Sequence, residues 1–428
     1  MNHKNNHKLH NKKTIIKLLY TVTTNIINKQ RIMIKRQIIT LFAMFAWLAT
    51  NAQDIKNQLN PVYYGVTSLS IAPDARAGGM GDVGAATDPD VHSQFWNPAK
   101  YPFCISRAGI SLNYTPWLSK LTDDIDLANI TGYYRIGDYD ALSASLRYFS
   151  LGEVIAAGED ITIKPFEMAV DVAYSRMLSE TFSAAVALRY IYSDLGYSFD
   201  DETTPGSAFA ADIALYHNGY IMMGQRECQL GWGVNISNIG SKISYDEGNT
   251  SEFIPTNLRI GASLMVPLDE YNIISISADA NKLLVPTRPT YSQYQEEFPE
   301  AGSEDYDGYR SWLEGEGYYN ISPISGIFKS FSDAPGGFKE EMQEIQWSAG
   351  IEYSYNNQFF LRGGYHYEHP NKGNRTFYTL GAGLKMNIFS IDAGYVISSS
   401  QTNPLDQTLR FSLTFDMDGI QDLLGRRR

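Results

Sequence analysis

The sequence predicts an all-β chain: a 14-stranded antiparallel transmembrane β-barrel with an N-terminal hatch segment and a long extracellular loop. Three observations predict it. From Ala108 onward, apolar and polar residues alternate with a period of two. The connections between the alternating runs are short at one end and long at the other. An export leader precedes everything else.

The alternation is clearest where Phe182, Ala184, Val186, Leu188, Tyr190 and Tyr192 share one face and Ser183, Ala185, Ala187 and Arg189 the other. Phe166, Met168, Val170, Val172 and Tyr174 oppose Glu167, Ala169, Asp171 and Ala173 in the same way. Such runs predict strands near 108–118, 126–137, 139–149, 166–178, 181–193, 207–217, 228–240, 256–267, 271–283, 345–355, 358–368, 376–386, 388–398 and 406–417. Most have the length a tilted strand needs to cross a bilayer, and the even count suits a barrel with both ends on one side. Gly137-Asp138 and Asn356-Asn357 mark short turns; 150–165, 194–206, 241–255 and 284–344 are long. The connection 218–227 is expected to break this asymmetry. Tyr133, Tyr134, Tyr174, Tyr190, Tyr192, Tyr365 and Tyr367 sit near strand ends, as interfacial girdles do.

Residues 1–52 hold nine Lys or Arg and no Asp or Glu, whereas 53–428 hold 26 basic and 47 acidic residues. The segment 33–52 reads as a signal peptide: cationic Met33-Ile34-Lys35-Arg36, apolar Ile38 to Leu48, and Ala49-Thr50-Asn51-Ala52 before the cut. Residues 1–32 read as a mis-assigned upstream extension. No nucleic-acid partner is expected from so acidic a mature chain. Cys104 and Cys228 are the only cysteines, and an oxidising compartment permits them to pair.

In hydrocarbon an unpaired backbone amide is costly, so the sheet must close and its polar face must look inward. That puts Arg147, Asp171, Arg189, Asp212, Asp279, Glu352, Arg362, Asp392 and Arg410 in the lumen. Salt-bridged packing and a selective polar pathway are both compatible with that pattern.

Residues 53–107 do not alternate, and are expected to fold inside the barrel as a hatch. Their markers are Pro73, Asp74, Arg76, Gly78, Gly79, Gly81 and Asp82, then Trp96, Asn97 and Pro98. Gly78-Gly79-Met80-Gly81 lacks the lysine of a phosphate loop. Ile71 to Gly84 and Trp96-Asn97-Pro98-Ala99-Lys100 resemble the PorV family, outer-membrane components of the type IX secretion system of Bacteroidetes. Tyr114-Thr115-Pro116-Trp117-Leu118, Ala141 to Phe149 and Ala187 to Ile191 resemble it too. The Asn-Pro-Ala element is similar to the wider FadL-like barrels, which have fourteen strands and a hatch. The resemblance implies a shuttle that takes secreted cargo by its C-terminal signal domain from the translocon barrel to a surface attachment complex with a sortase. A FadL-like transporter of hydrophobic small molecules is the alternative.

No enzyme chemistry is expected. After the leader the histidines are His92, His217, His366 and His369, with no HExxH and no GxSxG. His366, Glu368 and His369 do not share one face, and no metal or other cofactor is expected. The connection 284–344 has 61 residues, 12 acidic and 4 basic, with eleven aromatics. Loops of that length are functional or disordered, and aromatic richness argues against disorder. Tyr306 to Leu313 and Phe338 to Ile345 are expected helices. Tyr306, Tyr309, Trp312, Tyr318 and Tyr319 are the candidates for contact with cargo or translocon; a lid that covers only its own barrel accounts for the same residues. Barrel residues 108–417 also imply contact with outer-membrane lipid. The tail 418–428 is expected in the periplasm, with Ile420, Leu423 and Leu424 on one helical face.

Overall fold

The computed structural model describes residues 60–119, 122, 124–155, 162–196, 204–246, 250–300, 305–398 and 405–419. The upstream extension, the signal peptide and the tail beyond 419 lie outside the described residues. The strands are β1 (Ala108–Pro116), β2 (Ile125–Arg135), β3 (Asp140–Leu151), β4 (Val154–Ile155), β5 (Thr162–Ile163), β6 (Phe166–Ser179), β7 (Phe182–Asp194) and β8 (Gly206–Met223). They continue as β9 (Arg226–Gly240), β10 (Asn257–Pro267), β11 (Asn272–Leu283), β12 (Gln346–Tyr355), β13 (Phe359–Tyr367), β14 (Phe377–Lys385), β15 (Phe389–Ser398) and β16 (Leu409–Asp416).

Fourteen of them pair antiparallel with their neighbours into one closed barrel, and β4 with β5 forms a small hairpin in the connection after β3. The ring is sealed where β1 meets β16, with Gly109 opposite Asp416 and Tyr114 opposite Phe411. Closure satisfies the backbone of every strand without an edge, the condition hydrocarbon imposes. Alternation then sorts the side chains. Leu142, Leu146, Val170, Val172, Val186 and Leu188 point outward and are exposed, while Ser143, Asp171, Ser183 and Arg189 point inward and are buried. This is the reverse of a soluble protein, and it fits an apolar solvent outside and a packed polar interior.

The ends differ as the sequence predicts. At one end the connections are Ile136–Tyr139, Glu180–Thr181, Gly224–Gln225, Leu268–Tyr271, Asn356–Gln358 and Met386–Ile388. The connection 218–227 is therefore no exception. β8 and β9 run on through it, pairing Asn218 with Gly231 and Met223 with Arg226. Gly224 turns the chain in the left-handed region at φ 70°, which glycine adopts without strain. Asn218-Gly219 carries a turn signature but sits in mid-strand. Tyr133 also departs from its expected place. It is turned inward and buried, its ring stacked on Tyr101 at 5.0 Å and its hydroxyl donating to the Ser106 carbonyl at 3.0 Å. Cys104 and Cys228 are both buried free thiols.

Candidate functional site

Residues 60–107 run through the lumen, and their own sequence dictates the local turns. Asp74 follows Pro73 in an extended conformation and caps the short helix Ala75–Gly78 by accepting from the Ala77 amide at 2.8 Å. The second Asp74 oxygen accepts from the Trp96 indole at 2.6 Å, tying the first half of the hatch to the second. Asn97 caps the turn that starts at Pro98, and its amide donates to the carbonyls of Ala85 and Leu215 at 2.9 Å, one in the hatch and one in the wall. The buried Lys100 ammonium donates to the Gly84 carbonyl and the Thr87 hydroxyl, both at 3.0 Å.

The wall receives this segment on glycines. A Cβ at Gly350 would lie 2.6 Å from the Met80 carbonyl oxygen, and one at Gly394 2.9 Å from that of Ala75. At Gly364 it would overlap the Met80 and Gly81 backbone outright, and Gly381 lies against Gly79. Gly81 in turn has φ 72° and no room for a side chain against Tyr365. Gly78 leaves space for the Arg410 side chain. Hatch and wall thus meet backbone to backbone.

Ion pairs fix the contact laterally. Arg76 reaches Asp90 at 2.7 Å within the hatch and Glu352 of β12 at 3.0 Å. Glu352 also takes Arg362 at 2.6 Å, and Arg362 takes Asp392 at 2.6 Å. Arg410 of β16 pairs with Asp82. Asp279 accepts from the Gly84 and Ala85 amides at 2.8 and 2.9 Å. Arg189 lies between Asp171 at 3.1 Å and Asp212 at 2.9 Å, in the wall itself. Arg147 donates to the carbonyls of Ser68 and Ile71. The inward charges hold the hatch and one another instead of lining an open channel.

The connection 284–344 folds into a lid of helices Tyr291–Glu297, Tyr306–Gly315, Pro323–Lys329 and Phe338–Gln343. The first and third are additional to the two expected helices; they start on the Thr290–Gln293 capping box and on Ser322 before Pro323. Tyr309, Trp312, Tyr318 and Tyr319 do not form an outward surface. They pack with Val285 and Leu313 of the lid, Phe253 of the connection 241–255, and Val62 and Tyr64 of the hatch in one apolar cluster. Of the five aromatic candidates only Tyr306 is well exposed, at 65%. Among the described residues the freely presented apolar side chains of the lid include Phe298, Ile324, Phe328, Phe331, Phe338 and Met342. Ile324 and Phe328 lie on the third helix, Phe338 and Met342 on the fourth, and Phe331 between the two.

A latch joins the lid to the rim. Lys282 reaches Glu341 at 3.0 Å and Glu344 at 2.5 Å, while Lys372 reaches Glu340 at 2.6 Å and Glu344 at 3.0 Å. The Asn60 amide at the start of the hatch donates to Glu340 at 3.0 Å. Cavities remain on both sides of the hatch. One of about 390 Å³ lies at the short-turn end beside Asp90, Glu352 and Asp416. Toward the lid lie a chamber of about 90 Å³ and a vestibule of about 390 Å³.

The family model described as type IX secretion system protein PorV matches residues 53–290, more than half of the chain. The chain belongs to the PorV family. No curated protein matches it. Among solved structures it is similar to the toluene transporter TbuX of Ralstonia pickettii, with 11% identity, TM-score 0.41, and 81% of this chain and 97% of that one covered. It is also similar to the Pseudomonas putida toluene transporter TodX, with 10% identity, TM-score 0.42 and coverage of 84% and 98%. For a Pseudomonas aeruginosa FadL homologue the values are 13%, 0.40, 83% and 99%.

In this PorV-family barrel the described residues hold no cluster of His, Cys, Asp and Glu able to take a metal ion. His366 is buried against Phe377 and bonded to Ser348 at 2.9 Å; His369 instead caps the turn Pro370–Lys372. One titrating group stands out in the lid. Burial pushes the Asp333 carboxyl up to about 6, against hydrogen bonds from Thr287 and with Glu341 and Glu344 adding repulsion. A raised carboxyl favours the folded lid when protonated. Its stabilisation is whole below the ordinary aspartate range and is lost as pH rises through about 6. Hydrogen exchange of the segment 284–344 is therefore expected to speed up between pH 4 and pH 7 beyond the intrinsic rate, and Asp333→Asn is expected to flatten that excess. An excess unchanged in Asp333→Asn would assign it elsewhere.

Proposed function

We propose that this chain is the outer-membrane carrier of a type IX secretion system. It binds the C-terminal signal domain of secreted cargo and passes it from the translocon barrel to a surface attachment complex containing a sortase. Cleavage and attachment are the partner's chemistry, and this chain takes no catalytic part. The observation that carries the reading, beside the family, is the locked lumen. A glycine-seated, ion-paired hatch fills the interior, so a protein-sized cargo has the outer surfaces to bind to.

The proposed division is a signal peptide at 33–52, a hatch at 53–107, a barrel at 108–417 set in outer-membrane lipid, and a tail at 418–428. The even strand number and the tight turns at one end support both termini in the periplasm and the lid outside the cell. Ile324, Phe328, Phe331, Phe338 and Met342 are then the apolar candidates for the docking surface, together with Tyr306. The charged, ion-paired lumen weighs against a transporter for hydrophobic small molecules, which needs a continuous apolar path.

Deletion of 296–335 tests the proposal, together with the gentler pair Phe328→Ala and Phe338→Ala, both with barrel insertion verified. Cargo co-purification and surface display are expected to fall sharply in both. Display at the normal level in the deletion would rule out a docking role for the lid.

A further inference from the structure

The cavity of about 390 Å³ at the short-turn end is acidic and partly apolar. Five carboxylates line it against three cations, Arg76, Arg362 and Lys385. Arg76 pairs with Asp90 and Glu352, and Arg362 with Glu352 and Asp392. Asp88 and Asp416 are the other two, and among the described residues neither forms an ion pair. The Asp88 carboxylate, on the hatch, accepts only from the Gln229 amide, at 3.2 Å. Apolar side chains share the same cavity. Ile105 and Met386 are 94% and 51% exposed, and Phe389 and Phe415 are half-buried.

The chain passes this mouth after β16. Residues 417–419 are helical, and the Asp416 carboxylate starts them by accepting from the Asp418 and Gly419 amides at 3.0 and 3.4 Å. The Asp418 carboxylate accepts from the Arg107 amide at 2.7 Å. Gly419 is pressed onto the turn before β15, where a Cβ would overlap the Asn387 carbonyl. The chain is thus held against the rim of the cavity up to the point where residues 420–428 follow.

Those nine residues complement the cavity in both respects. Ile420, Leu423 and Leu424 form an apolar stripe at helical spacing. Arg426, Arg427 and Arg428 supply three cations against the single acid Asp422. Nine residues reach ~14 Å as a helix and ~30 Å extended, and either length spans a cavity of this size. Docking would take exposed apolar surface out of water and give the unpaired Asp88 a counter-charge.

We infer that residues 420–428 fold back into the short-turn mouth of the barrel, with the stripe Ile420, Leu423 and Leu424 on its apolar wall and an arginine of 426–428 paired with Asp88. The docked tail closes that mouth and ties the strand that seals the barrel to the hatch a further time. This holds whatever the barrel carries, so it does not rest on the carrier reading.

The test uses the full barrel in lipid nanodiscs, with heat-modifiable migration to show that it has folded. A benzophenone side chain placed at Gly425, next to the arginines, is irradiated and its products are mapped by mass spectrometry. Cross-links to hatch residues 88–92 or to Gln229 are expected. Cross-links to lipid alone, as a tail lying on anionic headgroups would give, overturn the docking, and so does the absence of any cross-link to the hatch. Trypsin gives a second readout, because docked arginines are cut only when the tail is released. Asp88→Asn is expected to speed trimming after Arg426 and Arg427 about 10-fold or more, as loss of a charge-assisted hydrogen bond does. Trimming of the unaltered barrel as fast as that of the urea-unfolded chain overturns the docking, and a rate unchanged in Asp88→Asn overturns the pairing. The cross-link is made with Asp88 in place, so it stands even where Asp88→Asn does not fold.

Discussion

Gly364→Val is expected to unseat the hatch and turn a sealed barrel into a conducting one. The reason is local. A Cβ at this position of β13 meets backbone atoms of Met80 and Gly81, not the end of a side chain that could swing away. Overpacking a filled interior costs about 1–3 kcal/mol where side chains can adjust, and more where they cannot. The wall has its ladder of hydrogen bonds on both sides of Gly364, so the hatch is the part that yields. Single-channel recording in planar bilayers reads the result, with heat-modifiable migration showing that the barrel has folded. Gly363→Val is the control. A Cβ there has nothing nearer than 3.8 Å, and the variant is expected to stay closed. A folded Gly364→Val barrel that conducts no more than the parent would show that the hatch is not held by this contact.

Glu352→Ala is the second large effect. One carboxylate accepts from Arg76 of the hatch and from Arg362 of the wall, so its removal strands two buried guanidiniums on Asp90 and Asp392. Breaking one side of a buried ion pair costs about 3–5 kcal/mol, largely through the charge left behind. The midpoint of thermal or urea unfolding is expected to drop accordingly, with hatch cleavage by added protease appearing first. Replacing Arg76 and Glu352 together by Met is expected to cost less than the two single changes combined, because the interaction they share is lost only once. The Lys164–Glu153 pair makes a contrast. Both side chains are more than half exposed, and Glu153→Gln is expected to leave the midpoint where it is. Additive losses at Arg76 and Glu352 would show that the two do not act as a unit.

The strands were legible because the bilayer enforces a strict rule on them. Every second residue from Phe182 to Tyr192 must suit lipid, and a sustained period of two is the mark of a strand with unlike faces, since a helix repeats near 3.6. The end of β8 was hidden because Asn218-Gly219 has turn chemistry, while Tyr220 to Met223 lacks polar alternation there. Alternation assigns Arg189 or Arg362 to a face but is silent on partners, since Asp171, Asp212, Glu352 and Asp392 arrive from other strands. The hatch motif Pro73 to Asp82 shows its glycines openly, yet the matching glycines at 350, 364, 381 and 394 look like ordinary strand residues until the wall is closed. The lid misled in a different way. Aromatic content marks both an interface and a core, and Tyr309, Trp312, Tyr318 and Tyr319 serve the core because Phe253 and Val285 offer them an apolar seat.

The seam between β1 and β16 has a consequence for how the molecule is built. It joins Gly109 to Asp416, nearly the whole length of the described chain apart, and contacts so distant in sequence form late because their loop entropy is lost before they reward it. The same last strand is also the hatch's anchor. The Ser412 hydroxyl accepts from the Ala75 amide at 2.9 Å and Arg410 holds Asp82. Sealing the wall and fastening the plug are therefore one terminal event of assembly. Until the carboxyl-terminal strand docks, a growing sheet has an unsatisfied edge and an untethered interior together, so a chain cut short before Leu409 loses both at once.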